Sequence, residues 1–444
     1  MPESTDGDAH EIAPTRAKRP WWLLHVFGRV PIGLDARHIS IVGIVSLAAL
    51  FENYDMSMLT SALKQIRETF GLSQAEASSL FAWIRLGAIP AFLVLPLADR
   101  MGRRCVFLIA IVGMSLGTLA SGFAQSAIQF VIAQTVTRTF LVACTACAVV
   151  IIAEELPASN RGWGIGILGA LGSLGFGLGA LLYARLDLLP FGWRTMYIVG
   201  GVPLLMMPMF IRRVPETARF ARARAERTAG RVDAGSWFRP LVEMVREYPR
   251  RSLAVAAMAL VFATGSSPAF GLLSDFVQTT HGWSTSSYSM MAIIAGAFGV
   301  LGNPVMGWAA DRFGRRPVAM LAFGAFPLAA FAIYYGPERM IPFFWIPLVF
   351  LLTGASVLMR IISTELFPTS SRNTAMGWET LMETLGSAAG YFMVGVLTVS
   401  GTSIGPAAVL VSGLTVLGVF VIRLLPETAG RELEATSQQG ADAA

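Results

Sequence analysis

ADRMGRR at residues 98–104 returns as ADRFGRR at 310–316. Two further matches keep almost the same register. Glu154, Pro157 and Arg161 repeat as Glu365, Pro368 and Arg372, and PETARF at 215–220 repeats as PETAGR at 426–431, an offset of about 212 residues throughout. Three separate matches at one offset are a rare product of chance, so the chain reads as two equivalent units.

Composition says what the units are. Hydrophobic residues make up 54% of the 444 residues and charged residues only 14%, a balance that a soluble globular chain does not have. Apolar runs of about twenty residues recur, each long enough to cross a ~30 Å hydrocarbon layer. They fall at 39–64, 78–97, 106–124, 127–153, 163–186, 194–211, 253–278, 287–310, 317–335, 342–363, 374–399 and 404–424. Glycine and proline inside them do not argue against helix, because bundled membrane helices satisfy the freed backbone groups through neighbours. The expected fold is an all-α integral membrane protein with about twelve transmembrane helices in two pseudo-symmetric six-helix bundles. The expected divisions are an N-terminal tail at 1–38, a bundle at 39–211, a basic linker at 212–252, a second bundle at 253–425 and a C-terminal tail at 426–444.

The net charge of +6 has a local source. Arg212, Arg213, Arg219, Arg222, Arg224, Arg227, Arg231, Arg239, Arg246, Arg250 and Arg251 crowd the linker. The positive-inside rule makes that linker cytoplasmic, together with the loops carrying Arg100, Arg103 and Arg104 and Arg312, Arg315 and Arg316. Both termini then face the cytoplasm, and the basic excess needs no nucleic acid to explain it. The opening MPESTDGDAHEIAPTRAKRPWW lacks an apolar h-region and reads as a soluble tail rather than a cleaved signal. Cys105, Cys144 and Cys147 make no disulfide framework, and the CxxC spacing of the last two lies inside an apolar span, where packing is the simpler reading.

These residues carry a family resemblance over roughly residues 35–433. LADRMGRR and GWAADRFGRR resemble the signature of the major facilitator superfamily between helices two and three and between eight and nine. AEELPASNRG and the PET sequences resemble further marks of the branch that holds sugar porters, organic-ion transporters and metabolite–proton symporters. The signature normally begins with a glycine that lets two helices pack closely; the second copy has Gly307 there, whereas the first has Leu95–Pro96.

In the loop motifs, Asp99 and Asp311 lie at helix–loop junctions, where a carboxylate is favoured near the positive end of a helix. Arg103 and Arg315 are placed to pair with Glu154 and Glu365. With Arg161 and Arg372 they read as clasps that close the inner side and come apart when the halves rock, or, more plainly, as charges that only set topology.

Charges inside the spans are more informative. Glu52 and Asp55, in AALFENYDMSMLTSAL at 48–63, lie about 13 to 16 residues above the inner start of the first span, hence roughly 20–24 Å across. A charge at the bilayer centre costs at least ~2.5–3.5 kcal/mol, so both must face the bundle interior or a wet cavity. Burial and mutual repulsion favour the protonated form, which makes the pair a proton-coupling site, with counter-ions to buried arginines as the structural alternative. An acid at the level of Asp55 resembles the proton-linked residue of many relatives.

Arg85 and Arg138, roughly 10–17 Å below the outer surface, overlap that depth. A guanidinium keeps its proton and forks onto carboxylates, so both are anchors for an anionic substrate. In the second half, Arg360 faces Glu379 and Glu383, spaced i and i+4. One of these acids can hold a gating ion pair while the other lines the cavity. Trp378 and Tyr391 are candidate pocket aromatics, beside Trp83, Phe270 and Tyr288, whereas Asp275 and His281 read as solvated residues without a role.

No phosphate-binding GxxxxGK[ST], HExxH or strand-borne GxSxG is present, so conventional catalysis, a nucleotide-driven engine, a metal and a cofactor are not expected. VFATGSSPAFGLLSDF lacks the Gln- and Asn-bearing pattern by which sugar porters of the resembled branch hydrogen-bond hydroxyls. HGWS at 281–284 resembles metabolite–proton symporters. The expectation is a monomeric secondary transporter in the plasma membrane, of bacterial inner-membrane type, moving a small organic anion with protons. A proton-coupled sugar or polyol transporter, a drug or cation antiporter and a non-transporting receptor are the alternatives.

Overall fold

The computed structural model describes residue 20 and residues 30–92, 94, 98, 101–216, 239–368 and 371–429. The described residues form helices, with no strand among them. In the first half these are α1 (Ala36–Ser61), α2 (Leu63–Thr69), α3 (Gln74–Leu86), α4 (Arg103–Phe123), α5 (Ala127–Glu155), α6 (Arg161–Tyr183) and a broken sixth span of α7 (Trp193–Val199), α8 (Val202–Leu205) and α9 (Met207–Arg213). After α10 (Arg239–Glu247) the second half follows as α11 (Pro249–Gly271), α12 (Leu273–Thr280), α13 (Thr285–Phe313), α14 (Arg315–Tyr335), α15 (Ile341–Glu365), α16 (Arg372–Val399), α17 (Ile404–Ser412) and α18 (Thr415–Leu424).

Eleven helical stretches among the described residues are long and apolar enough to cross a membrane. The expected second span, 78–97, is the exception. It starts as α3 and passes into turns at 87–90, and residues 93, 95–97 and 99–100 lie outside those described, so Leu95, Pro96 and Asp99 are not placed. The expected linker is not wholly irregular. Its last part forms α10, whose Met244 is buried, and α10 packs on α11 and α16.

Helix starts follow side-chain capping. Asp35 accepts from the backbone N–H of His38 and Ser73 from that of Glu76, each with the reciprocal bond of a capping box. The repeated heptapeptide works differently. Gly102 and Gly314 precede α4 and α14 with φ of 104° and 101°, a region from which a side chain is sterically discouraged. The PET glutamates complete the cap: Arg104 N–H donates to Glu216 Oε1 at 3.4 Å, and Arg315 and Arg316 N–H donate to Glu427 at 2.8 and 3.0 Å. A carboxylate is favoured where backbone N–H groups converge at a helix start. Burial works against the charge on Glu427, yet the N–H groups of Ala429, Arg316, Arg315 and Thr428 hold its carboxyl below the ordinary range.

The helices are brought together by glycines placed alike in the two halves. α6 crosses α1 where a Cβ on Gly175 would stand 1.9 Å from Leu50 O, and α16 crosses α11 where one on Gly386 would stand 2.2 Å from Leu260 O. Gly307, expected to permit close packing, has open space beside it.

Buried apolar residues form two main clusters. One fills the first half toward its Arg103 end, around Val42, Phe107, Ile151 and Phe210. The other runs from Met58, Phe81 and Tyr197 of the first half into Phe262, Phe326 and Trp345 of the second. Among the described residues, the halves therefore share a core toward one end. Between them α3 packs on α16 and α6 on α13.

Substitution tests the glycine contacts. Gly175→Ala and Gly386→Ala are expected to lower the thermal unfolding midpoint of the detergent-purified protein, because overpacking against a backbone carbonyl costs ~1–3 kcal/mol. Gly177→Ala, where an added methyl meets nothing, is expected to leave the midpoint unchanged or raise it slightly.

Candidate functional site

A cavity of about 180 Å³ lies between the halves. The first half supplies Arg85 from α3 and Arg138 from α5, and the second supplies Ser266 and Ser267 from α11, Ser356 from α15 and Thr380, Glu383, Thr384 and Ser387 from α16. Its size is below the ~300–1,000 Å³ common for drug-sized ligands, which suits a small solute. A larger cleft, about 590 Å³, is lined by Trp83, Ile128, Val396 and other mainly apolar side chains at the helix surface, its polar lining limited to Glu76 and Ser79 of one helix.

Arg138 is the pivot of the polar site. Its Nη1 lies 3.2 Å from Met56 Sδ, and its Nε is buried with no hydrogen-bond partner. A buried guanidinium donor without a partner is costly and gives an anion a ready place to bind. Arg85 lies in the field of Arg138, so the two cations concentrate positive potential on the first-half wall.

The two acids of α1 diverge rather than act as one pair. Asp55 is buried and accepts from Thr118 Oγ1 of α4 at 3.2 Å, while Glu52, half-buried, accepts a short hydrogen bond from Thr145 of α5. No direct ion pair joins either acid to Arg85 or Arg138 among the described residues, although both acids lie within the electrostatic reach of Arg138. Neither lines the 180 Å³ cavity. The expected contact is thus replaced by threonine hydroxyls, which the sequence showed only as polar residues in apolar runs.

In α16, Glu383 lines the cavity, as expected of one member of the pair. The other half of that expectation fails, because no ion pair links Arg360 with Glu379 or Glu383. The Arg360 side chain is exposed, while Glu379 is buried with both carboxylate oxygens unpartnered. Trp378 and Tyr391 do not line the cavity either. Trp378 Nε1 donates to Ser252 O, and Tyr391 donates to Ser267 O and stacks on Phe81 at 5.0 Å. Trp83 packs edge-on against Phe392, Phe270 against Phe176 and Tyr288 against Tyr183 and Trp345. Apart from the exposed Trp83, these rings fill the spaces between helices.

The loop-motif charges close on their own halves. Arg103 meets Glu154 at 3.6 Å and Arg315 meets Glu365 at 3.0 Å and also the exposed Asp311. Arg161 Nε donates to Leu156 O and Arg372 Nε to Phe367 O, each across its own helix–helix turn. A rocking motion of one half against the other would leave these contacts intact, contrary to the reading of them as clasps between halves.

The polar contacts that do join the halves lie at the opposite end, and they include the residue taken for solvated. Asp275 of α12 is fully buried and accepts from Arg67 Nε of α2 at 3.1 Å. Around it Arg67 reaches Thr279, Lys64 Nζ donates to Gln278 O at 3.1 Å, Ser274 Oγ donates to Ser61 O at 2.6 Å, and Tyr183 Oη bonds both Gln65 and Gln278. These hydrogen bonds between the halves, together with Gln65 Nε2 donating to Gln278 Oε1 at 3.1 Å, cluster at this end. The structure is closed at the end remote from the arginine loops. No sequence signal marked Arg67–Asp275, because its partners come from elements about 208 residues apart.

Comparison with known proteins agrees with this architecture. The sequence model of the Major Facilitator Superfamily matches residues 45–300 and 255–443. A gallate transporter of Pseudomonas putida is 28% identical over 75% of this chain and 79% of its own length. A cis,cis-muconate transport protein of Acinetobacter baylyi is 27% identical over 88% of this chain and 94% of its own. The crystal structure of a D-xylose-proton symporter superposes with a TM-score of 0.73 at 18% identity, covering 88% of this chain and 99% of that one, a likeness of fold.

The closed end can be opened by mutation. Asp275→Asn removes the buried charge that holds the half-buried Arg67 across the halves, at a cost below the ~3–5 kcal/mol of breaking a fully buried pair from one side. In a variant with Cys105, Cys144 and Cys147 replaced by serine and Ser61 by cysteine, Asp275→Asn is expected to raise labelling by a membrane-impermeant thiol reagent severalfold. Unchanged labelling would mean that the pair does not hold this end shut.

Proposed function

The chain belongs to the Major Facilitator Superfamily, and from that premise we propose that it carries a small organic anion, an aromatic or aliphatic carboxylate, in symport with protons by alternating access. The observation that carries this reading is the placing of Arg85 and Arg138 on one wall of a polar cavity between the halves, with Arg138 Nε lacking any partner. A carboxylate could take both guanidinium groups, while the serines and threonines of the facing wall could receive hydroxyl or further carboxyl oxygens. The names of the gallate and cis,cis-muconate relatives fit the same chemical class.

Asp55, with Glu52, serves as the proton site. With the acids ionised, their negative field holds Arg138; a proton removes that field and leaves the guanidinium for the incoming anion. Proton and anion together replace an internal balance of charge, so neither the empty nor the loaded protein carries an unpaired ion through the low-dielectric barrier. The arginine loops, the linker and both termini face the cytoplasm of a plasma membrane. The closed Arg67–Asp275 end then faces outward, and the described state is one shut to the outside. The protein works as a monomer without a cofactor.

Energised membrane vesicles test the reading with gallate, cis,cis-muconate and 4-hydroxybenzoate as probes and xylose as control. Uptake of at least one anion is expected, with affinity falling as external pH rises because the empty acids then compete for Arg138. Arg138→Lys is expected to weaken anion binding by roughly tenfold or more, since an ammonium replaces a fork worth ~1.5–3 kcal/mol per charged hydrogen bond. Binding indifferent to pH and to both arginines would overturn the anion assignment.

The proton role has its own signature. Asp55→Asn is expected to abolish accumulation driven by a pH gradient while preserving exchange of labelled for unlabelled anion, which needs the loaded form alone. Undiminished accumulation in Asp55→Asn would remove Asp55 from coupling.

A further inference from the structure

Glu379 presents an unusual combination. It lies on α16 about two turns from Arg372, is 2% exposed, and neither carboxylate oxygen has a hydrogen-bond partner. Among the buried acids, Asp55 is served by Thr118 and Asp275 by Arg67; Glu379 has no such support. The hydroxyl that faces it, Ser363 of α15, is itself buried and unpartnered. An ionised carboxylate in that setting carries a desolvation penalty that a single facing hydroxyl and an unpaired, exposed guanidinium offset only in part, whereas a neutral carboxylic acid does not.

The surrounding charges point the same way. Glu383, one turn further along α16, repels a negative charge on Glu379. Arg360 of α15 attracts one, but its side chain is exposed and makes no ion pair with Glu379. Of the other helices packed on α16, α3 brings Arg85, which faces Glu383 rather than Glu379. α11 brings Arg250 and Arg251 at its start, the latter bonded to Leu366 O; α10, packed at the same end, carries Glu243, Arg246 and Glu247, and α17 carries no ionisable side chain.

We propose that Glu379 is a second proton-binding site, in the C-terminal half and separate from Asp55, that holds its proton while the Arg67–Asp275 end is closed and exchanges it for the Arg360 guanidinium in the opposite state. Glu383 connects it to the cavity. An anion on Arg85 withdraws the cation that balances Glu383, so the α16 pair gains a reason to keep a proton whenever substrate is bound. Proton and anion binding are then linked, each tightening the other. This linkage rests on the anion reading above; the proton on Glu379 does not.

The experiment separates the two. Infrared difference spectra of the purified, substrate-free protein in lipid nanodiscs, titrated between about pH 5 and pH 9 across the usual and raised carboxyl range, read protonated carboxyl groups directly. A titrating carboxylic-acid band is expected that survives Asp55→Asn and is lost in Glu379→Gln. Arg360→Gln removes the exchange partner and is expected to carry that band to higher pH. A spectrum unchanged in Glu379→Gln, or a band whose titration ignores Arg360→Gln, would overturn the proposal. With gallate as probe in weakly buffered solution on the alkaline side of that band's titration, where Glu379 has largely lost its proton, the wild type is expected to take up more protons per bound anion than Glu379→Gln, by up to about one, the limit for one titrating site. Equal proton counts in the presence of gallate binding would overturn the linkage and leave the anion reading standing.

Discussion

A charge inside a hydrocarbon layer has to be paired, protonated or kept wet, and the protein meets that constraint differently at each ionisable residue within its helices. Asp275 is paired, with Arg67 across the two halves. Asp55 and Glu52 are held by threonine hydroxyls within the first half. Arg85 and Arg138 face a polar cavity, and Glu379 is buried with both carboxylate oxygens short of a hydrogen-bond partner. These solutions are not interchangeable. A pair between halves fixes a conformation, a hydroxyl tolerates either protonation state of an acid, and an unpartnered cation invites a ligand.

The contacts within each half differ in kind from those that join the two. Within each half the contacts are stiff. Glycines let α6 and α16 approach carbonyls of α1 and α11, left-handed Gly102 and Gly314 start helices capped by Glu216 and Glu427, and the Arg103–Glu154 and Arg315–Glu365 pairs tie loops to neighbouring helices. Between halves the described polar bonds gather at one end around Asp275, and the shared apolar core lies there too. Such an arrangement, with many contacts inside each body and the joining bonds gathered at one end, is the one the proposed alternating access would require.

The repeat is therefore more than a relic in the sequence. Equivalent positions carry equivalent backbone tasks: a positive φ, a glutamate on converging N–H groups, a glycine at a helix crossing. The ionisable groups break that symmetry. The first half holds the guanidinium wall and its threonine-supported acids, and the second holds hydroxyls and the α16 glutamates. Asymmetric chemistry on a symmetric frame lets two halves of like build present different groups to the cavity between them.

The helical class, the repeat and the presence of acids and arginines at bilayer depth were legible in the sequence alone, because hydropathy over some twenty residues and a fixed offset are local or periodic signals. Periodicity could not say that Glu52 and Asp55 turn to different neighbours, that Arg360 leaves Glu379 unpaired, or that Trp378 and Tyr391 fill gaps between helices. Each depends on which helix packs beside which, and at what height. Asp275 shows the limit most plainly: near a span end it reads as solvated, and only the meeting of α12 with α2, some 208 residues apart, buries it against Arg67. Sequence sets which charges must be accommodated; tertiary packing decides which of them meet, since an ion pair or an orphaned carboxylate is made by distances of a few ångströms between elements that no local pattern relates.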